Sequence, residues 1–149
     1  MSRSDPTPAL ARAFAIAIGL AGFSLPAASS GLILVTAAGS PIANLSRDEA
    51  EQLYLGRRTT LDNGTPVTLL DLPAGELRDR FYLYLTGKNP NQIRAHWSRQ
   101  VFTGRALPPR EIRNSTDLGA QLDRASETIG YLAEGSLDTS KLRVLLRLP

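Results

Sequence analysis

Apolar and polar positions along the chain fall into short blocks, each ended by glycine, proline or a polar cap. Gly31-Leu32-Ile33-Leu34-Val35-Thr36 is an unbroken apolar, partly β-branched run followed by Ala37-Ala38-Gly39-Ser40-Pro41, the pattern of a strand buried on both faces. The period then changes to that of a helix. Ser46 stands three residues before Glu49, a capping box in which each side chain satisfies the other residue's backbone N–H. Ala50, Leu53 and Tyr54 lie at i, i+3 and i+4, and Gly56 supplies a left-handed stop. Asp62-Asn63-Gly64 marks a turn, after which Thr65 to Leu70 reads as a second strand ending at Asp71.

A second helix is predicted after Pro73-Ala74-Gly75, with Leu77, Phe81, Tyr84 and Leu85 on one stripe and Gly87 at its end. The third takes Asn89 as its cap and Pro90 in its first turn, where a missing N–H is harmless; Ile93, Trp97 and Val101 form its buried stripe before Gly104. Leu107-Pro108-Pro109 predicts a connecting loop, and Asn114 or Ser115 caps a fourth helix with Leu118, Leu122 and Ala125 inside. Ile129 to Leu132 forms a third short strand. A polar turn from Glu134 to Ser140 leads to Leu142, Val144, Leu146 and Leu148, which alternate with arginines as one face of a last strand. The order β-α-β-α-α-α-β-β predicts an α/β domain over residues 31–149, a mostly parallel sheet flanked by helices.

Residues 1–30 follow a different logic. Arg3 and Arg12 give a basic start, Ala13 to Leu25 form an uncharged apolar run, and Ala27-Ala28-Ser29-Ser30 are small residues. That is the layout of a secretory signal peptide, with cleavage expected near Ser30 and export to the periplasm. An uncleaved anchor is the competing reading, but the run falls short of the ~20 residues that cross a bilayer.

Composition narrows the chemistry. Of 149 residues, 42% are hydrophobic and 21% charged, the balance of an ordinary globular chain. With no cysteine there is no disulfide or thiolate chemistry, and the single histidine, His96, rules out sites built from several imidazoles. No metal or cofactor is expected. The whole chain carries 17 basic and 14 acidic residues; two of the former and one of the latter lie in residues 1–30, leaving a net charge of +2. The arginines alternate with acids along the predicted helices and form no run of five or more, so nucleic-acid binding is not expected.

Four stretches together resemble a known family. Leu45-Ser46-Arg47-Asp48-Glu49-Ala50-Glu51-Gln52-Leu53-Tyr54-Leu55-Gly56-Arg57 is similar to the "L-S-x-x-E-x-x-x-I-F-L-G-K" helix of phosphate ABC transporter substrate-binding proteins. Asp62-Asn63-Gly64 through Asp71 resembles the "D-G-x-x-I-x-P-V" strand that follows, Trp97 to Gly104 the "W-x-x-x-x-F-x-G" stretch of short members, and Ile129-Gly130-Tyr131-Leu132 the "G-A-I-G-Y-V" strand. Order and spacing agree over roughly residues 32–147. The resemblance implies a single lobe of the type 2 periplasmic binding-protein fold, transport rather than catalysis, and a small oxyanion such as phosphate as ligand, with an ABC permease or another envelope protein as partner. It also implies a binding loop at a helix start, where the family has "R-x-x-G-S-G-T" and offers hydroxyls, backbone N–H groups and an arginine to phosphate. A helix N-terminus is suited to an anion.

The corresponding stretch here is Asp71-Leu72-Pro73-Ala74-Gly75-Glu76-Leu77-Arg78. Gly75 and Arg78 carry over as ligand-binding residues, the latter as a guanidinium donor. Glu76 and Leu77 stand where the family has hydroxyls. Glu76 is expected to act as a built-in anion at the helix start, competing with external phosphate. Ser40, in the Thr36 to Ser40 stretch, is a second candidate donor. An envelope interaction module that has lost small-ligand binding is the alternative function, favoured by Glu76 and Leu77 as Gly75 and Arg78 favour binding.

The other chemical candidates have plainer explanations. His96 beside Trp97 reads as a packing or surface histidine. Phe81, Tyr84, Trp97 and Phe102 recur at helical spacing and read as core. Asp48, Glu49 and Glu51 cap and solvate the first helix, and Arg57-Arg58 is either a small anion contact or surface. No nucleophile elbow, phosphate loop or H-E-x-x-H occurs, so no catalytic residue is expected.

Overall fold

The computed structural model describes residues 30–149; the signal-peptide expectation for residues 1–30 lies almost wholly outside them. The chain runs β1 (Leu32–Ala37), α1 (Arg47–Tyr54), β2 (Thr68–Asp71), α2 (Glu76–Thr86), α3 (Pro90–Phe102), β3 (Arg110–Glu111), α4 (Ser115–Arg124), β4 (Thr128–Ala133) and β5 (Leu142–Leu148), with a short 3₁₀ turn before β5. The expected caps of α1, α3 and α4 are in place, whereas α2 has no side-chain cap bond. Ser46 and Glu49 close a capping box at α1, Asn89 and Gln92 form another at α3 with Pro90 in its first turn, and Asn114 caps α4 by accepting from Asp117 N–H. The two-residue β3, directly after the expected Leu107-Pro108-Pro109 loop, is an added strand; a segment that short leaves no period to read.

The five strands make one sheet in the order β3-β2-β4-β1-β5. The expected α/β lobe is present, but the sheet is mixed rather than mostly parallel. β2 runs parallel to β3 and β4, whereas β1 is antiparallel to both β4 and β5. The reason lies in the connections. The chain passes from β2 to β3 and from β3 to β4 by helical crossovers, which return it to the same end of the sheet and enforce parallel strands. It leaves β1 and enters β2 at one and the same end, since the Thr36 hydroxyl donates to Thr128 O at 2.8 Å and Thr68 is registered on Thr128. Helix α1 therefore does not act as a crossover between adjacent strands.

The core lies on both faces of the sheet. Gly130 faces α4, where a Cβ would meet Leu118 Cδ1 at 2.2 Å. Its neighbour Tyr131 faces the other way and lies flat on Phe81 of α2, ring centroids 3.6 Å apart. β1 is buried along nearly its whole length, as its continuous apolar run predicts. On β5 the register slips between Leu34 and Val35, so Leu145 bulges out of the ladder. Its freed carbonyl accepts Leu45 N–H at 3.3 Å, and Arg143 donates to the carbonyls of Ala38, Ser40 and Ile42. The loop entering α1 is thus held by β5, and the arginines expected merely to decorate that strand are part of the fastening.

Two departures in burial matter below. The predicted stripe of α3 breaks at its end: Ile93 and Trp97 are buried, but Val101 is 49% exposed and Phe102 93%. Apolar spacing locates a helix face, but it does not say whether another element will cover it. On α2, Tyr82 is buried as well as Phe81 and Leu85, although it lies off the predicted stripe.

The two glycines of opposite surroundings provide a test. Gly130→Ala is expected to cost about 1–3 kcal/mol by overpacking against Leu118. Gly119→Ala, in α4 with open space around it, is expected to stabilise by roughly 0.5–1 kcal/mol through helix propensity. Urea unfolding monitored by circular dichroism measures both.

Candidate functional site

Asp71 ends the apolar strand β2, and its side chain is buried, with the residue only 3% exposed. A buried carboxylate must be paired and hydrogen-bonded. Three donors meet it: Tyr131 O–H donates to Oδ1 at 2.5 Å, while Tyr82 O–H at 2.9 Å and Arg78 Nε at 3.0 Å converge on Oδ2. The Tyr131 oxygen also accepts Leu72 N–H at 3.3 Å, which ties the start of the next loop to the same cluster. Asp71 O accepts Ile112 N–H at 2.9 Å and so draws the β3 edge alongside.

An aromatic cluster supports these donors. Tyr54 of α1 meets Phe81, Tyr82 and Tyr131 edge-on, and its hydroxyl donates to Leu70 O at 3.1 Å. Such pairs contribute about 0.5–1.5 kcal/mol each beyond their burial. The Arg78 guanidinium sits 5.3 Å from the centre of the Tyr82 ring. Burial first, and then the nearby Asp71 charge, push the Tyr82 and Tyr131 phenols well above the ordinary range; burial does the same to Tyr54.

Arg78 is the outward end of this arrangement. Asp71 takes its Nε, and neither Nη atom has a partner among the described residues. It opens onto a cleft of about 1060 Å³, whose near wall is Asp71, Ala74, Gly75 and Asp79 and whose far wall comes from α3 and the proline loop. Gly75 is the N-cap of α2, without a side-chain cap bond, and the first helical bond is Asp79 N–H to Gly75 O. The amides of Glu76, Leu77 and Arg78 precede that bond and have no intrahelical acceptor.

Of the four residues singled out in the sequence, the fold brings Gly75 and Arg78 together on the cleft. Glu76 opens α2 but is exposed and makes no side-chain hydrogen bond among the described residues; its effect on the helix end is one of charge, not of a closing bond. Ser40 lies elsewhere. It follows the end of β1 that flanks Thr128, the opposite end of the sheet from the loop after Asp71. Its hydroxyl already accepts Ile42 N–H. His96 packs edge-on to Trp97 and donates from Nε2 to Leu55 O at 2.8 Å. Arg57 and Arg58 pair with Glu51 and Asp62. The indole N–H of buried Trp97 has no acceptor among the described residues.

Sequence reasoning missed Asp71 as the hub and Tyr82 and Tyr131 as its partners. The available signal was a carboxylate directly after an apolar strand run, a position that is stable only if donors converge on it.

No protein-family model and no curated protein matches the chain. Solved structures do. An ABC-type phosphate transport receptor from Vibrio cholerae superposes with a TM-score of 0.58 at 14% identity, over 77% of this chain and 45% of the receptor. PstS from Borrelia burgdorferi gives 0.58 at 12%, over 77% and 46%. A Clostridium perfringens protein assigned to phosphate ABC transport and solved with bound phosphate gives 0.56 at 15%, over 79% and 54%. The fold is that of phosphate transport receptors. The chain spans about half the length of these proteins, and the likeness read from its four sequence stretches agrees with the likeness of shape. Those stretches fall on α1, on β2 with the turn before it, on the second half of α3 and on β4. Among the described residues no helix is long and apolar enough to cross a membrane.

Removal of the buried carboxylate is expected to be severe. Asp71→Ala strands three donors and should cost about 3–5 kcal/mol, and Tyr131→Phe about 1.5–3 kcal/mol for the loss of one bond to a charged group, both read from urea unfolding. A pH titration tests the phenols. Their folded pKa values lie above the unfolded value of about 10, so the folded state holds more protons once the unfolded chain begins to ionise. The phenols' contribution to stability is therefore expected to be level from neutral pH to about pH 10 and to fall above it. A flat profile through pH 11 would contradict the assignment.

Proposed function

We propose that this chain is an exported, non-catalytic solute-binding-protein-like domain of the phosphate-importer type, taking phosphate or another small oxyanion at the start of α2. One observation carries the reading. Arg78, anchored through Nε by a buried carboxylate, lines the cleft with neither Nη atom taken by a partner among the described residues, and the amides that open its own helix are unpaired. A guanidinium edge and helix-start N–H groups complement an oxyanion in charge and geometry. The anchoring also reduces the side-chain entropy that binding would otherwise cost.

In this reading Gly75 lets the anion approach the backbone and Arg78 supplies the charge. Glu76 lowers affinity by placing a competing carboxylate at the same helix end. Export would follow from the apolar segment before Ser30, and an ABC permease or another envelope protein would receive the loaded domain. The likeness in fold to receptors of phosphate transport supports the ligand class.

Calorimetric titration with phosphate, sulfate and small carboxylates tests the proposal. Heat of binding with phosphate, abolished by Arg78→Ala, is the expected result; silence across the panel would overturn it in favour of an interaction module. Glu76→Ser is expected to tighten phosphate binding about two- to fivefold, from a helix-end charge effect of about 0.3–1 kcal/mol.

A further inference from the structure

The cleft is much larger than a bare phosphate, and a continuous part of its lining is apolar. Its volume of about 1060 Å³ sits at the upper end of the ~300–1,000 Å³ found for sites that hold organic ligands. Gly75, Arg78 and Asp79 line it at the start of α2, and Arg94, Ser98 and Glu111 add polar groups along its far side. An apolar wall runs along α3 through Ile93, Trp97, Val101 and Phe102 and is continued by Pro108 and Pro109. The inner part of that wall is buried, while Val101 is 49% and Phe102 93% exposed. An exposed large apolar side chain at the end of a buried stripe has a cost in water and calls for something to cover it. A hydrated inorganic ion gains nothing from such a surface.

We propose that the cleft takes an oxyanion bearing an apolar substituent, a phosphate monoester or organic phosphonate, with its anionic group at Arg78 and the α2 start and its hydrocarbon part against the α3 wall. The proposal rests on the reading of Arg78 as the anion-binding end. The lining sets the orientation: Arg78 faces the cleft from the near wall, and the C-terminal end of α3, beyond Arg94 and Ser98, offers Val101 and Phe102 beside Pro108 and Pro109 as apolar contact. The wall residues Val101 and Phe102 then set specificity. The sequence reads Val101 and Phe102 as core, the fold leaves both uncovered, and in this proposal the ligand covers them.

Calorimetry with inorganic phosphate, methylphosphonate and benzylphosphonate separates this inference from the function it builds on. Benzylphosphonate is expected to bind about tenfold or more tighter than phosphate, the gain associated with burying an aromatic ring, with methylphosphonate between. The double variant Val101→Ser, Phe102→Ala should bring the ratio of the two affinities to within about twofold of unity, and Arg78→Ala should abolish both. Phe102 is almost wholly in solvent, so the fold should tolerate its loss; if the double variant does not fold, the ligand series on the unaltered protein decides. Phosphate bound as tightly as benzylphosphonate would overturn the inference and leave the proposed function standing. No binding of any of the three would overturn both. Self-association in sedimentation that the double variant abolishes, with no preference for benzylphosphonate, would also overturn it and assign the apolar wall to a protein contact.

Discussion

A carboxylate buried at the end of an interior strand governs much of this structure. Removing a charged group from water costs several kcal/mol even after relaxation, so Asp71 persists only because three donors from two other elements converge on it. Meeting that requirement constrains the fold. Helix α2 must be rotated so that Arg78 and Tyr82, four residues apart, both face β2. Strand β4 must be registered so that Tyr131 points to the same side, and there it also stacks on Phe81. One charge thereby fixes the orientation of a helix, the register of a strand and the direction of an arginine.

The same economy is visible at the other end of the sheet. Strand β1 has no crossover partner and is inserted between β4 and β5, antiparallel to both. The loop that follows it therefore has no helix to lean on, and its carbonyls go to Arg143 instead. The bulge at Leu145 leaves a carbonyl free for Leu45 N–H. Ser40 is consumed in this local fastening, which is a structural role and explains why it stands apart from Gly75 and Arg78.

The proposed function divides the cleft into two ends. At one end, structure already required for stability presents a guanidinium and open backbone amides. At the other, α3 and the proline loop contribute shape and apolar surface. The anchored arginine makes the polar end rigid, while Val101 and Phe102, half or wholly exposed, are free to adapt. The fold is shared with phosphate transport receptors over about half their length, and the proposed binding site rests on this division.

How much of this was legible beforehand depended on the range of the interaction concerned. Caps, stops and strand cores are local, and Ser46 with Glu49, Asn89 with Pro90, and the apolar run of β1 specified their elements from sequence alone, because the groups that satisfy one another lie within a turn or a few residues. Gly75 and Arg78 were proposed from the family resemblance at a helix start, and the fold places both on the cleft. The direction of β1 was not legible, since it depends on where the chain re-enters the sheet some thirty residues later. Nor was the pairing of Asp71 with Tyr82 and Tyr131, eleven and sixty residues away, or the uncovered end of α3. Periodicity determines which face of an element is apolar; only the packed structure decides what lies opposite that face, and so whether a buried charge finds its donors and an apolar stripe finds its cover.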